Sequence, residues 1–109
     1  MRAQRQGQGG DHRDTFHAME VIHEPSSHRF VVRLPGGQGE LLYSRLPPAV
    51  LDLYHAEVSP GLRGQGVAAR LVEAACEYAR ASGSRLIPSC PYVAWWFRQH
   101  PEKAGLLAE

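Results

Sequence analysis

Residues 54–83 read YHAEVSPGLRGQGVAARLVEAACEYARASG. Glycines stand at positions 61, 64 and 66, with Arg63 among them, and an alanine-rich helical pattern starts directly afterwards. Glycine in such a run costs backbone entropy and packs nothing. Two readings follow: a flexible surface turn, or a loop drawn tight so that its amides face a ligand. Upstream of the loop the apolar residues recur every second position; downstream they recur at about three and a half. Val67, Leu71, Ala74 and Tyr78 form a stripe that Ala68, Val72, Ala75 and Ala79 widen, and Arg70, Glu73, Glu77 and Arg80 line the other side. That predicts one amphipathic helix of about four turns, ended by the Ser-Gly-Ser at 82–84.

Working outward toward the N-terminus, residues 15–22, 28–34, 39–46 and 50–58 are short β-branched or aromatic runs, separated by EPSS, PGGQ and PP. Links so short allow only antiparallel neighbours, because a parallel return needs a crossover of a dozen residues or more. Toward the C-terminus, RLIP at 85–88 reads as a fifth strand and YVAWWFRQH at 92–100 as a second helix, which Pro101 stops and which completes the ordered part. The helix between the fourth strand and RLIP is long enough for a right-handed crossover, so those two strands are expected to be parallel. The predicted fold class is α+β: a four-stranded antiparallel meander, a helix, a parallel strand and a short C-terminal helix. Residues 1–13 offer almost nothing to bury and read as a disordered tail, with order beginning near Thr15 and residues 14–109 forming one minimal domain.

A chain of 109 residues has room for one core. Twelve Lys and Arg against 11 Asp and Glu give a formal charge of +1, which implies neither a nucleic-acid surface nor a membrane surface. No window approaches the apolar length of a membrane span, and the start, MRAQRQGQGGDHRD, lacks the apolar stretch of a signal peptide, so a cytoplasmic location is expected. Cys76 and Cys90 are expected to be free thiols, and no close Cys or His pair suggests a metal site.

The spacing Gly64-x-Gly66-x-x-Ala69 matches a dinucleotide fingerprint. A Rossmann unit, however, needs an acid some twenty positions on to hold a ribose, and SRLIPSCPY at 84–92 offers none. A Walker loop is excluded because no Gly-Lys-Ser/Thr follows. The stretch instead resembles the acetyl-coenzyme A-binding motif of the GNAT N-acetyltransferase superfamily, Arg/Gln-x-x-Gly-x-Gly/Ala after a strand. Arg63, Gly66 and Ala68 match it, Val58 ends the strand, and Gly64, Gln65 and Val67 fill the variable positions. The segment from about Thr15 to Leu107 looks like the very small, YjdJ-type N-acetyltransferase-like proteins. The shared features are His55 and Val58 on a strand, Arg63 to Gly66, the Tyr78-Ala79 pair, and Pro88-Ser89-Cys90-Pro91-Tyr92-Val93.

That resemblance implies an acetyl-coenzyme A-dependent N-acyltransferase acting on an amine. It also implies that the fourth and fifth strands splay, with the pantetheine arm in the gap and the pyrophosphate on amides from Arg63 through Ala68. Arg63 then either adds charge to the phosphates or anchors the loop, and Leu62 is read as apolar loop packing. Larger members of the superfamily carry helices between their first strands; EPSS and PGGQ are too short for them, so the acceptor side is expected to be open to a small-molecule amine or to a peptide or protein amine. Two other readings stand beside it: a coenzyme A-binding or protein-interaction module with little catalysis, and transfer through an acyl-cysteine.

The chemistry needs a base for the amine and a proton donor for the departing thiolate. His55 is the candidate base, against a structural histidine bonded across the sheet. Strand alternation predicts that it shares a face with Leu51, Leu53 and Glu57, opposite Tyr54, Ala56 and Val58; Glu57 either orients it or lies in a rim salt bridge, a direct contact being a long reach. Cys90 lies between Pro88 and Pro91 ahead of the last helix, as nucleophile, proton donor or small buried hydrophobe. Tyr92 is a candidate acid or a packing residue, and Cys76 reads as core. Two adjacent tryptophans cannot both face the sheet, so Trp96 is expected to pack with Val93 and Phe97 while Trp95 faces a groove or a partner.

Overall fold

A computed structural model describes residues 19–109. Five strands form one sheet in sequence order: β1 Ile22–Glu24, β2 Arg29–Leu34, β3 Gly37–Leu46, β4 Val50–Val58 and β5 Arg85–Ile87. The first four pair antiparallel as a meander, and β5 joins β4 in parallel after the helix α1, Val67–Ser82. A second helix, α2 Pro91–Gln99, follows. This is the α+β arrangement read from the sequence. The expected disordered tail at 1–13 lies outside the described residues, as do positions 15–18 of the first expected strand.

The rest of that first strand is shifted. Residues 19–21 are not strand, and pairing covers only Ile22 to Glu24, against Val31 to Arg29. The hairpin sets this register: Pro25 opens a single 3-10 turn, His28 closes it in the left-handed region at φ 52°, and Glu24 meets Arg29 at 2.7 Å across the first pair. Met19, which period-two counting placed on a strand, packs into the core from irregular backbone.

One cluster joins the sheet to both helices. Phe30, Leu41, Tyr43, Leu51, Leu53 and Leu86 come from the strands, and Leu71, Val72 and Ala75 from α1. From α2 come Val93, Trp96 and Phe97, while Trp95 remains 47% exposed, as the adjacent tryptophans required. Each fully buried leucine is worth about 1.5–3 kcal/mol relative to exposure, so α1 is held by its apolar stripe more than by its helix propensity. Gly39 marks a close approach of β3 to α1, since a Cβ there would lie 2.5 Å from Val67 Cγ1. Gly83 ends α1 in the left-handed region, and Pro91 starts α2 at its first turn.

The alternation expected along β4 is interrupted. Leu53 pairs with Tyr43 and His55 with Leu42, which leaves Tyr54 as an extra residue in a β-bulge. Leu51 and Leu53 face the core before the bulge; Ala56 and Val58 face it afterwards, and His55 and Glu57 turn to the opposite face. The predicted sharing of a face by His55 with Leu51 and Leu53 is therefore corrected, while its sharing with Glu57 and its opposition to Ala56 and Val58 hold.

Pro101 stops α2 but does not end the ordered chain. A 3-10 segment, Pro101–Leu106, carries Leu106 and Leu107 back onto the core, and Leu107 bridges Leu86 in parallel. The free edge of β5 accounts for this, because Leu86 presents backbone groups there and its carbonyl accepts from Ala108 N at 2.8 Å.

Candidate functional site

β4 and β5 stay together only briefly. Their pairs are Val50–Arg85, Leu51–Leu86 and Asp52–Ile87, and the last bond between the two segments is Cys90 N to Leu53 O at 2.8 Å. From the bulge onward β4 keeps β3 on one side and has no β5 partner on the other. A cleft of about 270 Å³ opens there. Val58 and Tyr92 form two of its walls; Leu62, Arg63, Gly64 and Gly66 supply the loop side, and the first turn of α1 closes it with Val67, Ala68 and Ala69.

Gly64 and Gly66 hold φ values of 81° and 83°, the left-handed region that side chains with a Cβ rarely adopt. A Cβ at either position would meet nothing within 4 Å, so the backbone conformation requires glycine, not crowding within the chain. The amides of Val67, Ala68 and Ala69 precede the first helical bond, Arg70 N to Gly66 O at 3.0 Å, and Gly66 has no side chain to cap them. These groups and the helix dipole favour an anion. Two side chains brace the loop: Arg63 Nε donates to Val58 O at 3.2 Å, and Gln65 Nε2 to Gly61 O at 3.2 Å. Gln65 thus turns back onto the loop and is not among the cleft's lining residues, whereas Leu62 is buried as apolar packing and also borders the cleft.

His55 lies on the face of the sheet that turns away from the core, with 49% of its side chain exposed. Its Nε2 is 3.3 Å from Glu57 Oε1, so the two side chains do meet despite the reach expected along a strand; the bulge's bend accompanies that contact. A second hollow, of about 350 Å³, lies beside them, lined by Gln38, Glu40, Glu57, Ser59 and Pro60. Val58 and Arg63 belong to both hollows, so the loop arginine stands between them.

Cys90 is the residue before α2 and is only 6% exposed, part of the core cluster and not of the cleft lining. Tyr92, two residues on, reaches the cleft. Burial raises its phenol above the usual value, and the neighbouring Cys90 and Glu73 push the same way. Cys76 is buried in α1, and desolvation pushes its thiol up to about 11. Both cysteines are free. Among the described residues no group of three or more His, Cys, Asp or Glu is placed to hold a metal ion, and no helix is long and apolar enough to cross a membrane.

The family model described as GCN5-related N-acetyl-transferase matches residues 29–106, the span from β2 through the segment that follows α2. The chain belongs to this family. Among curated relatives, Protein NATD1 of Bos taurus is 31% identical over 85 residues, covering 76% of this chain and 75% of its own. Protein NATD1 of Xenopus tropicalis is 29% identical over 93 residues, covering 84% and 85%. The solution structure of a GCN5-like protein from Staphylococcus aureus superposes with a TM-score of 0.65 at 21% identity, covering 84% of this chain and 89% of that one. The mixed sheet with flanking helices is thus the acyl-coenzyme A N-acyltransferase fold.

The bulge is what sequence reading missed, and its signal was present. In LDLYHAEV the apolar residues fall on odd positions up to Leu53 and on even positions from Ala56, a change of phase inside one strand. An unbulged strand cannot bury both sets.

Proposed function

We propose that this protein is an acetyl-coenzyme A-dependent N-acyltransferase, within the likeness to the small YjdJ-type proteins, and that it acts by direct attack of an amine on the thioester. The observation that carries the reading is the cleft at the splayed β4–β5 junction, bounded by uncapped helix amides on one side and Tyr92 on the other. Bound there, acetyl-coenzyme A supplies an activated acetyl group. Amides from Arg63 through Ala68 hold its pyrophosphate; Gly64 and Gly66 give the loop its shape, Gln65 braces it, and Val58 and Val67 flank the pantetheine arm. The acceptor, a small-molecule amine or a peptide or protein amine, approaches from the open face that carries His55.

His55 takes the proton of the attacking amine and Glu57 orients the imidazole. Tyr92 is protonated at neutral pH, as any phenol is, burial raises it further, and it can give that proton to the departing sulfur. Cys90 as acyl carrier is the weaker route: it is buried in the core cluster rather than in the cleft. A cytoplasmic setting, no nucleic-acid partner and a single domain over residues 14–109 belong to the same proposal. The half-exposed His55 and the open acceptor face favour one second reading, a coenzyme A-binding module with little catalysis.

Calorimetric titration with coenzyme A and acetyl-coenzyme A, then mass spectrometry on a panel of amines, tests both. The expected result is binding with transfer, a rate about 10²-fold lower in His55→Ala, and appreciable turnover in Cys90→Ser. Acetylation of Cys90 before any amine is added, at the turnover rate, would replace direct attack. Binding without transfer leaves the module.

A further inference from the structure

Both helices pack on one face of the sheet, against Leu51, Leu53, Ala56 and Val58 of β4. The register fixes what the other face carries. Glu40 pairs with Glu57 and Ser44 with Asp52, so β3 and β4 place three carboxylates there and no lysine or arginine; Arg45, the cation of β3, pairs with the core residue Leu51. Arg29 meets one oxygen of Glu40 at 2.7 Å and shares its charge with Glu24. Glu57 is 67% exposed, and its ion-pair partner among the described residues is His55. Carboxylates directly opposite one another on paired strands repel, and a His55 that is to accept a proton is neutral and does not offset them. Arg63 borders the same hollow of about 350 Å³, but its Nε is turned to Val58 O and it pairs with neither glutamate. Tyr54, the extra residue of the bulge, is 48% exposed beside His55.

We infer that this acidic part of the sheet face docks an extended basic segment of a protein, with the acceptor lysine at His55 and a second lysine or arginine, two residues away, at Glu40 and Glu57. The inference deepens the acyl-transfer reading given above and rests on it. Spacing supports an extended segment: side chains i and i+2 of a strand share a face about 6.8 Å apart, which is also the step from His55 to Glu57 along β4. The hollow beside Glu57 takes the second side chain, whose charge offsets two carboxylates that face each other. The exposed Tyr54 ring lies along the aliphatic stem of the acceptor lysine. Beyond Tyr54 the same face runs on to Leu46, 41% exposed, an apolar stretch that a length of chain covers and a free diamine does not. An acidic segment would meet like charge across β3 and β4, and a neutral one would leave Glu40 and Glu57 repelling each other.

Coenzyme A is titrated first, and its binding stands for the cofactor reading alone. Blocked peptides containing Lys-Gly-Lys, Lys-Gly-Gln or Lys-Gly-Glu, and 1,4-diaminobutane, are then titrated calorimetrically into the coenzyme A complex at low salt. The wild type and Glu40→Gln are compared; with no acetyl group present the readout is binding and does not depend on turnover. The Lys-Gly-Lys peptide is expected to bind about three- to fivefold more tightly than Lys-Gly-Gln, the upper part of the range for a surface ion pair, and Lys-Gly-Glu more weakly than either. Glu40→Gln should remove most of that preference and leave the affinities for Lys-Gly-Gln and coenzyme A unchanged. Glu24 keeps Arg29 paired in the variant, and the urea midpoint reports that it is folded. Equal affinities for the three peptides, or no peptide binding, overturn the inference while the cofactor reading stands. A diamine that binds more tightly than Lys-Gly-Lys assigns the hollow to a small free amine and also overturns it. So does a preference that persists undiminished in Glu40→Gln, which places the second cation elsewhere. If coenzyme A does not bind, the cofactor reading fails and takes the inference with it.

Discussion

Gly64 and Gly66 were legible as unusual from composition alone; the reason they are glycine was not. A tight loop suggested a need for space, yet the space around both is open and the constraint is the left-handed backbone. This makes a sharp prediction at Gly66. A β-branched side chain there carries the left-handed penalty of about 1–2 kcal/mol. Gly66→Val is therefore expected to lower stability by that amount, or to remodel the start of α1 and lose coenzyme A affinity about tenfold. Gly66→Asn should keep more of both, because asparagine tolerates the conformation. Urea midpoints and calorimetric affinities read the two effects, and a valine variant equal to the wild type in both removes the loop from the binding reading. At His55 the lesson runs the other way. Its residue type was informative, but its direction depended on one extra residue, Tyr54, that strict alternation does not anticipate.

Strands β1 to β3 and helix α1 meet at a cluster that no reading of the sequence assembled, because its members are distant in the chain. His23 Nε2 lies 2.6 Å from Tyr43 Oη, and Arg45 Nη2 approaches the same oxygen at 3.4 Å. His23 stacks on Phe30 and meets the edge of Tyr78. With Arg45 donating to Tyr43, the phenol donates to His23, which must then be neutral. Burial lowers the His23 pKa below 6.5, and the Arg45 charge lowers it further. A depressed pKa in the folded state means that the unfolded chain binds the proton more readily. The contribution is fully present above about pH 6.5 and is lost as pH falls through the folded-state value. The urea midpoint should therefore fall as the pH is lowered from 6.5 toward 5. His23→Phe, which keeps the ring packing and cannot titrate, should flatten that part of the profile. An identical slope in the variant would assign the pH dependence to other groups.

For the molecule as a whole, the order of elements was readable because the turns are punctuated by proline and glycine and because the apolar period changes once, after β4. What could not be read were contacts that depend on where an edge is left open. The docking of residues 101–109 is the clearest case. KAGLLAE has neither helical nor strand periodicity, and only the exposed edge of β5 explains why Leu107 bridges Leu86 and why Arg85 Nη1 donates to Gly105 O. This segment packs on α1 and α2 and leaves Leu106 and Leu107 half-buried against the core. Each leucine is then worth part of the 1.5–3 kcal/mol of full burial, which gives about 2–3 kcal/mol for the pair. Removing residues 101–109 is expected to lower the unfolding free energy by about that amount and to shift the emission of Trp96, now stacked on His100 at 3.9 Å, toward the red. Tyr92 rides on the same helix, so a loosened α2 should also weaken coenzyme A binding. An unchanged urea midpoint in the truncated chain would show that α2 and the β5 edge hold their places without the segment.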